Sequence, residues 1–366
     1  MSRIVLHCTT ALILLAVTGP AQSKVINATA KTIAAVWTAA KPGDTIKLSG
    51  KFGLTRLQYK SSGKAITLDA TSAVFTDSLM INQVDGLKIV GGTFGKTGGT
   101  ATKYGRAVVI YGGSSIAFYS PTVVSDAGGQ GIAFNDTVGA SVKSGNFAGL
   151  YSAISLTRVK NGYLSGNAIT RSLSDGIDIA DSHNVTATYN SCSAGTPVAG
   201  AHPDCIQMWS VAGHAVQSDI AIIHNTATGP TQGFTSFDAT KGGGLRLSIM
   251  YNRVATSYSQ GIACYACVDS NISYNRVTTL AGSAHLTNIN VIGGNHNTVI
   301  GNTIGALPKS PHAAAARLFD ASATFDDASP MADVGAIPEP ASWLMLVVGF
   351  GIVGSAVRRS RRFATA

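Results

Sequence analysis

The sequence predicts an all-β chain whose short strands stack as the coils of a solenoid, and the composition and an internal repeat indicate this fold class. The 366 residues include 41 glycines, but only one of the 18 acidic residues, Glu339, is a glutamate. A chain this poor in Glu and rich in Gly, Thr, Ser, Asn and Val is badly suited to long helices, which disfavours helical bundles, coiled coils and doubly wound α/β enzymes. The apolar fraction of 45% is enough to bury a large core.

An apolar residue that opens an alternating stretch recurs along the body of the chain. The members of this series lie 22 to 29 residues apart and are Ile132, Ile154, Ile177, Ile206, Phe234, Ile262 and Ile289. Each repeat holds two or three β-rich runs separated by Gly, Asn, Ser or Asp turns. One repeat cannot bury its own apolar face, so the repeats must stack, which predicts a parallel β-helix with these side chains inside.

A second series consists of asparagines with a similar period. Its members are Asn146, Asn167, Asn190, Asn225, Asn252, Asn275 and Asn302. Stacked side-chain amides can satisfy one another and the backbone, so this series predicts an internal asparagine ladder at a turn of the coil.

The start of the body can form one short amphipathic helix, from Thr32 to Ala40, followed by the segment Lys41 to Gly50. This arrangement resembles the entry of right-handed parallel β-helix proteins, in which the helix caps the exposed first coil. The resemblance covers roughly residues 31–305. We therefore expect a right-handed parallel β-helix over residues 24–305 and a linker, rich in Ala, Ser, Asp and Pro, over residues 306–336.

The first 23 residues are typical of a secretory signal peptide. Arg3 supplies the positive charge, Ile4 to Val17 is mainly apolar, and Ala21 to Ser23 is a cleavage site with small outer residues. Cys8 lies too early in the apolar stretch to be a lipid-attachment residue. We expect the mature chain to be exported without this segment.

Export implies an oxidising compartment for the four cysteines outside the leader. Four cysteines allow three pairings, and the spacings favour Cys192–Cys205 and Cys264–Cys267. A zinc site at Cys264 and Cys267 would need two more ligands, and no second close Cys/His pair supplies them.

The C-terminal segment, residues 337–366, begins with Ile337-Pro338-Glu339-Pro340. An apolar run of 17 residues from Ala341 to Val357 follows, then four arginines within Arg358 to Arg362. This run is the short end of a membrane-spanning helix, and the arginines would stay cytoplasmic. The segment resembles the PEP-CTERM sorting tail of Gram-negative surface proteins. The resemblance implies removal by an exosortase at the outer face, a cell-surface or secreted product only transiently anchored in the inner membrane, and a link to exopolysaccharide; a plain anchor is the alternative.

The formal charge of +9 does not by itself indicate a nucleic-acid partner, because the two end segments contribute four of these nine net charges. Without them, 22 basic residues stand against 17 aspartates. The sequence shows no basic stripe interleaved with aromatic residues in the body. A mildly basic body suits an anionic polysaccharide.

Carboxylates occupy matching positions in two successive repeats. Asp175 and Asp204 each precede the repeat isoleucine by two residues, whereas Asp178 and Gln207 each follow it by one. Equivalent positions of stacked coils lie about 4.8 Å apart, so we expect near neighbours on one outward face. Carboxylates this close indicate either acid–base catalysis or a Ca²⁺ site. A simple turn role for Asp175 is the alternative.

Three segments around these carboxylates resemble motifs of the polygalacturonase-type glycoside hydrolases. They are Leu173 to Ile179, Ser182 to Val185 and Pro203 to Ile206. The resemblance implies that Asp175 matches the first motif aspartate and Asp204 the second aspartate of the later pair.

The chain also departs from that family. Pro203 stands where the family has its general acid, and Gln232 to Thr235 lies near the place of a Gly-His-Gly motif. Arg246 matches only loosely the arginine of the family's Arg-Ile-Lys. An inverting hydrolase needs both an acid and a base, so this mechanism requires His202 to substitute for the missing acid.

A lyase or epimerase acting on a uronic-acid polymer is the second enzymatic interpretation. A base then removes the proton beside a carboxylate, and a cation stabilises the negative charge that develops. Arg246, Lys241 or His202 would be the base or the clamp. Asp178, Asp181 and Asp204 would hold Ca²⁺, although Asp181 also suits a turn.

The sequence thus predicts a groove across three coils with five catalytic candidates: Asp175, Asp178, His202, Asp204 and Arg246. Substrate-binding candidates are Gln207, Lys241 and Trp209, whose ring suits sugar stacking or core packing equally. The repeats lengthen from the Ile177 coil onward, and longer loops would wall the groove. Two functions stay open: an enzyme acting on an extracellular polysaccharide, or a non-catalytic polysaccharide-binding or matrix protein.

Overall fold

A computed structural model describes residues 23–306, except residues 62, 96–104, 126–127, 196, 212 and 238–242. The predicted signal peptide, linker and sorting tail lie outside the described residues, apart from their boundary residues 23 and 306. Within the described part, no helix has both the length and the apolar character needed to cross a membrane.

The described chain is an all-β parallel solenoid of about 11 turns. It opens with the elements β1 (Val25–Ala28), α1 (Ile33–Ala39), β2 (Thr45–Phe52), β3 (Thr55–Lys60), β4 (Ile66–Phe75), β5 (Leu79–Val90) and β6 (Thr93–Phe94). From there each turn adds one strand to each of three rows, named first, second and third in the order in which the chain visits them.

The strands of each row pair in parallel with their neighbours in the coils before and after. The first row contains β7 (Arg106–Tyr111), β10 (Gln130–Asn135), β13 (Ser152–Thr157), β16 (Ile177–Ala180), β19 (Asp204–Trp209), β22 (Gln232–Ser236), β25 (Gln260–Tyr265) and β28 (Asn288–Ile292). The second row contains β8 (Ser114–Tyr119), β11 (Val138–Lys143), β14 (Lys160–Ser165), β17 (His183–Thr188), β20 (Ser218–Ile223), β23 (Ser248–Met250), β26 (Asn271–Ser273) and β29 (Thr298–Ile300). The third row contains β9 (Thr122–Val124), β12 (Asn146–Ala148), β15 (Ala168–Ser172), β18 (Ser191–Ala194), β21 (Thr226–Gly229), β24 (Arg253–Thr256), β27 (Arg276–Thr279) and β30 (Thr303–Ala306).

The predicted apolar stack is confirmed. Ile132 is paired in register with Ile154, and the pairing continues strand by strand through Phe234 to Ile289. Every member of the series is buried. Each such side chain contributes about 1.5–3 kcal/mol through burial, so this column is one of the main forces that hold successive coils together.

The asparagine ladder is confirmed from Asn167 to Asn302, at the turn between the second and third rows. In each step the side-chain Nδ2 donates to Oδ1 of the asparagine one coil later, at 2.8 to 3.2 Å. Asn146 is not a member, because it is exposed and pairs with Ala168. Gly145 occupies the ladder position instead, and its backbone N–H donates to Asn167 Oδ1 at 2.9 Å.

The predicted helix is present as α1. Its apolar side buries Ile33 and Trp37, and it packs against β1, β2 and β3. The indole Nε1–H of Trp37 donates to the carbonyl of Gln58 at 3.2 Å, which ties the helix to the opening strands.

Two disulfides are present, Cys192–Cys205 and Cys264–Cys267, and these are the pairings that the spacings favour. The first joins a third-row strand to the first-row strand that follows it. Gly176 makes room for this bridge, since a Cβ on Gly176 would lie 2.8 Å from Cys192 Sγ and 2.6 Å from the carbonyl oxygen of Cys205.

Candidate functional site

Asp204 is fully buried at the start of β19. Its Oδ1 accepts a hydrogen bond of 2.7 Å from the hydroxyl of Thr235, one coil later, and its Oδ2 lies 3.4 Å from Nδ1 of His202. The carboxyl group is therefore held by side chains rather than by backbone amides of a turn, which fixes its position but shields it from solvent.

Asp175 lies one coil earlier and is half-buried. Its Oδ1 accepts a hydrogen bond of 3.0 Å from the backbone N–H of Asp204, so the side chain reaches the next coil. Its own carbonyl oxygen accepts from the hydroxyl of Ser172, as expected of a turn residue. Asp175 thus combines the turn role with a carboxylate directed at Asp204.

Asp178 is the outward-facing residue of β16 and pairs in register with Gln207. Its Oδ1 accepts a 2.6 Å hydrogen bond from the indole Nε1–H of Trp209. Asp178 and Trp209 are both half-buried, whereas Gln207 is buried. Trp209 is expected from the sequence either to pack in the core or to stack on a sugar. Its hydrogen bond to Asp178 follows from neither role.

The three aspartates Asp175, Asp178 and Asp204, called here the carboxylate cluster, all have a raised pKa. Burial is the largest cause in each case. The charges of Asp204 and Asp178 raise the pKa of Asp175 further. At Asp204, the contacts with His202 and Thr235 lower the pKa and partly offset the effect of burial. The pKa of Asp178 reaches about 6 although the Trp209 hydrogen bond lowers it. Carboxyl groups in this state can donate a proton close to neutral pH.

His202 borders the cluster with a partly exposed side chain. The Nε2 of Gln232 lies 2.8 Å from Nε2 of His202, and the Phe237 ring meets the imidazole edge-on at 5.9 Å between centroids. With the Gln232 amide in this orientation, Nδ1 of His202 carries the proton that faces Asp204. The Oε1 of Gln232 is buried and has no hydrogen-bond partner among the described residues, which leaves an acceptor beside the imidazole.

Long connections flank the first-row strands at this level. Residues 195–203 lead into β19 and residues 210–217 lead out of it, whereas residues 181–182 alone follow β16. The predicted loop lengthening therefore borders the coils that carry the carboxylate cluster, on both sides of the first row.

Sequence reasoning did not single out Tyr258 and Phe237. Burial and the Asp204 carboxylate raise the pKa of Tyr258, so its phenol belongs to the surroundings of the cluster. Phe237 follows β22 directly and contacts His202 and Tyr265. Both residues lie outside the strands, where the repeat pattern does not extend. Their position in the sequence therefore gives no sign that they lie near the carboxylate cluster.

Arg246 is a correction to the predicted groove. Its guanidinium forms two 2.6 Å hydrogen bonds with Asp219, at the start of the second row, rather than joining the carboxylate cluster. The reason is the turn after the first row, where Arg246 takes a positive φ of 55° and faces the preceding coil. Lys241 lies outside the described residues.

The Ca²⁺ set of Asp178, Asp181 and Asp204 is also not formed. Asp181 is a buried turn residue with a φ of 49°, and its carboxylate accepts from the backbone N–H of Val211 at 2.7 Å and contacts Nδ1 of His214 at 2.6 Å. Among the described residues, no group of three or more His, Cys, Asp or Glu side chains could hold a metal ion.

Basic and aromatic residues do interleave on the second row, contrary to the sequence-based expectation. Nζ of Lys88 lies 4.8 Å from the ring centroid of Tyr119, and Nζ of Lys143 lies 5.6 Å from Tyr119 and 4.8 Å from Tyr163. Stacking brings together residues 20 or more positions apart, so the linear sequence hides the pattern. These lysines are already engaged in cation–π contacts.

No protein-family model matches the chain, and no curated protein sequence matches it. Among solved structures, an alginate lyase from Paenibacillus sp. is 16% identical with a TM-score of 0.52, over 75% of this chain and 99% of that enzyme. The A-module of a mannuronan C-5 epimerase from Azotobacter vinelandii is 12% identical with a TM-score of 0.46, over 77% and 93%. A polygalacturonase from Erwinia carotovora is 14% identical with a TM-score of 0.39, over 84% of each chain. The likeness shows a shared parallel β-solenoid fold, and polysaccharide-acting enzymes are among the structural neighbours of this chain.

Proposed function

We propose that this protein is an exported or cell-surface enzyme that cleaves a uronic-acid polysaccharide at the carboxylate cluster. The observation that carries the proposal is that Asp175, Asp178 and Asp204 lie at two adjacent first-row strands bordered by long loops, are joined by the bond from the Asp204 N–H to Asp175, and all have a raised pKa. Export rests on the N-terminal leader and the PEP-CTERM-like tail, which would make an exosortase its processing partner. The right hand of the solenoid and a capping role for α1 belong to the same proposal.

The reaction that suits these residues best is β-elimination. His202 keeps its Nδ1–H towards Asp204, and substrate displaces the Gln232 amide from Nε2, which then takes the proton from the carbon beside the uronate carboxylate. The electron pair forms a C=C bond, the glycosidic C–O bond breaks, and the leaving oxygen takes the proton of Asp178. Asp175, held protonated by burial and its neighbours, donates a hydrogen bond that neutralises the substrate carboxylate. Epimerisation would share the first step, and hydrolysis would instead add water.

The test is turnover on polygalacturonate, alginate and a neutral glucan. Elimination gives the ultraviolet absorbance of an unsaturated uronate, whereas hydrolysis gives reducing ends without it. We expect the absorbance with a uronate polymer, its loss in Asp178→Asn and Asp204→Asn, and its retention in the matched surface variant Asp219→Asn. Equal rates in the Asp178→Asn variant and the wild type would refute the assignment.

A non-catalytic polysaccharide-binding or matrix role is the second candidate. It is favoured by Pro203 at the position of the polygalacturonase general acid and by the complete burial of Asp204. Binding of uronate oligosaccharides without any product, and unchanged in Asp178→Asn, would support it.

A further inference from the structure

The third row of strands carries charge of one sign. From β9 onward, the described strands of this row contain no Asp or Glu, and their charged residues are Arg171, Arg253 and Arg276. The carboxylate cluster lies on the first row, so this basic surface is on a different side of the coil.

Arg253 and Arg276 are exposed and paired in register on β24 and β27, one coil apart. Within the described part of the chain, no carboxylate pairs with either guanidinium. Arg158 and Arg246, in contrast, each bind an aspartate one coil earlier at 2.6 Å. Like charges on directly opposed strand positions repel, so this pair costs stability unless an anion lies against it.

The two arginines line a shallow, open cavity of about 170 Å³ on the third row. Its floor consists of small hydroxyl and methyl side chains from three consecutive coils: Thr226, Thr228, Ala255 and Thr278. The threonine hydroxyls can hydrogen-bond a polar ligand, and the lining contains no carboxylate that would pair with the guanidinium groups.

An exposed aromatic ladder runs beside this cavity. Successive ring centroids lie 5.1, 5.2 and 5.2 Å apart along the series Tyr189, His224, Tyr251 and Tyr274. All four residues take a φ between 55° and 57°, a conformation that glycine adopts at the same turn position in Gly166 and Gly301. Tyr251 and Tyr274 precede Arg253 and Arg276 by two residues. Because each ring covers the face of the next, the hydroxyl edges rather than the ring faces are left to bind a ligand.

We propose that this surface, the third-row groove formed by Tyr251, Arg253, Tyr274 and Arg276, binds a carboxylated polysaccharide that lies along the solenoid axis. Guanidinium groups bind carboxylates through paired hydrogen bonds. A polymer with one carboxylate on every sugar repeats its charge on the scale of the coil spacing, about 4.8 Å. Single-stranded nucleic acid would need free ring faces for base stacking, and the ladder leaves few.

The groove would hold the polymer away from the carboxylate cluster. This proposal rests on the proposed function only in the choice of uronate polymers as probes. The test is affinity electrophoresis and calorimetry of the full chain with polygalacturonate and alginate. The double variant Arg253→Gln/Arg276→Gln should bind about tenfold more weakly and lose much of the salt dependence. The control Arg56→Gln/Lys160→Gln removes the same charge from exposed positions outside the groove and should bind as the wild type does.

Equal weakening in the control variant, or an unchanged affinity in the groove variant, would overturn the proposal. If single-stranded DNA bound as tightly as the uronate polymers, the ligand of the groove would be nucleic acid and the proposal would be wrong. Tyr251→Phe keeps the ring stack but removes a hydroxyl, so it should weaken binding without changing the melting temperature. Asp178→Asn should still bind the polymer through the groove, so failure of the proposed catalysis and failure of the groove are distinguishable.

Discussion

The indole Nε1–H of Trp209 donates a 2.6 Å hydrogen bond to Oδ1 of Asp178, which lies one coil earlier in the solenoid. This bond favours the ionised form of Asp178 and so opposes the desolvation that raises its pKa to about 6. The balance leaves the carboxyl group partly protonated near neutral pH. Trp209 therefore helps to set the pH range in which the carboxylate cluster can donate a proton.

Replacing Trp209 with Phe should raise the pKa of Asp178 above about 6. The variant loses the only effect that lowers this pKa while the apolar surroundings remain. NMR titration of the ¹³C-labelled aspartate carboxyl groups measures the shift. Trp37→Phe removes an indole N–H from α1 and should leave this titration unchanged. An Asp178 pKa that stays the same or falls in the Trp209 variant would contradict the balance.

Asp178 should also make the protein less stable as pH rises. The folded state keeps the proton up to about pH 6, whereas the unfolded chain releases it near the ordinary value of 3.8. The free energy of unfolding therefore falls as pH rises through this window and then levels off. Asp178→Asn should remove the part of the decline that Asp178 causes, leave the part that Asp175 and Asp204 cause, and add up to about 3 kcal/mol at pH 7. Urea unfolding at several pH values measures the difference.

Asp219 supplies a control, because its pKa is lowered in the folded state whereas that of Asp178 is raised. Arg246 and Ser218 lower its pKa to about 2, so its contribution to stability is present above pH 3.8 and is lost as pH falls through about 2. Asp219→Asn should therefore destabilise the protein slightly at pH 7 and leave the decline between pH 4 and 6 intact. A parallel change in both variants would show that the decline does not come from Asp178.

Asn225→Ala should cost about 2–4 kcal/mol of unfolding free energy. Asn225 Oδ1 accepts from both the backbone N–H and the Nδ2 of Asn190, and its Nδ2 donates to the carbonyl of Ala187. All three buried groups would lose a partner. Asn146→Ala, at the exposed position outside the ladder, should change stability by no more than about 0.5 kcal/mol. Chemical denaturation of the two variants gives the comparison directly.

Removing the Cys192–Cys205 bridge should cost about 3 kcal/mol, because it frees a loop with a sequence separation of 13. That loop also carries His202, so turnover should fall along with the melting temperature. Replacing Cys264 and Cys267 with Ala opens a loop with a separation of only 3 and should cost less. A larger loss of unfolding free energy on removal of Cys264–Cys267 than on removal of Cys192–Cys205 would contradict this account.

The repeat pattern was enough to predict the interior of the solenoid. A position in an isoleucine or asparagine series is fixed by the stacking itself, because a slip of one residue turns the side chain to the other face. Asn146 shows the limit: it sits one residue past the true ladder position, which Gly145 fills through its backbone N–H.

The site was predictable only where it follows the same register. Asp175 and Asp204 share one offset from the isoleucine stack, and Asp178 and Gln207 share another. In the structure the Asp204 N–H donates to Asp175, and the charges of Asp178 and Asp204 both act on Asp175. Arg246 has no such offset, and the conformation of its turn directs it to Asp219. The contact of Trp209 with Asp178 depends on side-chain rotamers across two coils, which spacing along a sequence does not encode.

The hydrogen bonds of the asparagine ladder all point the same way along the solenoid axis. Along the series from Asn167 to Asn302, each Nδ2 donates to Oδ1 of the next asparagine, and each Oδ1 accepts from the asparagine one coil behind. Aligned dipoles of this kind polarise one another, much as peptide groups do along a helix. A coil inserted into this region must present an amide with the same orientation or break the array on both sides. An inserted whole repeat that carries its own asparagine would therefore continue the ladder, whereas a partial repeat would interrupt it.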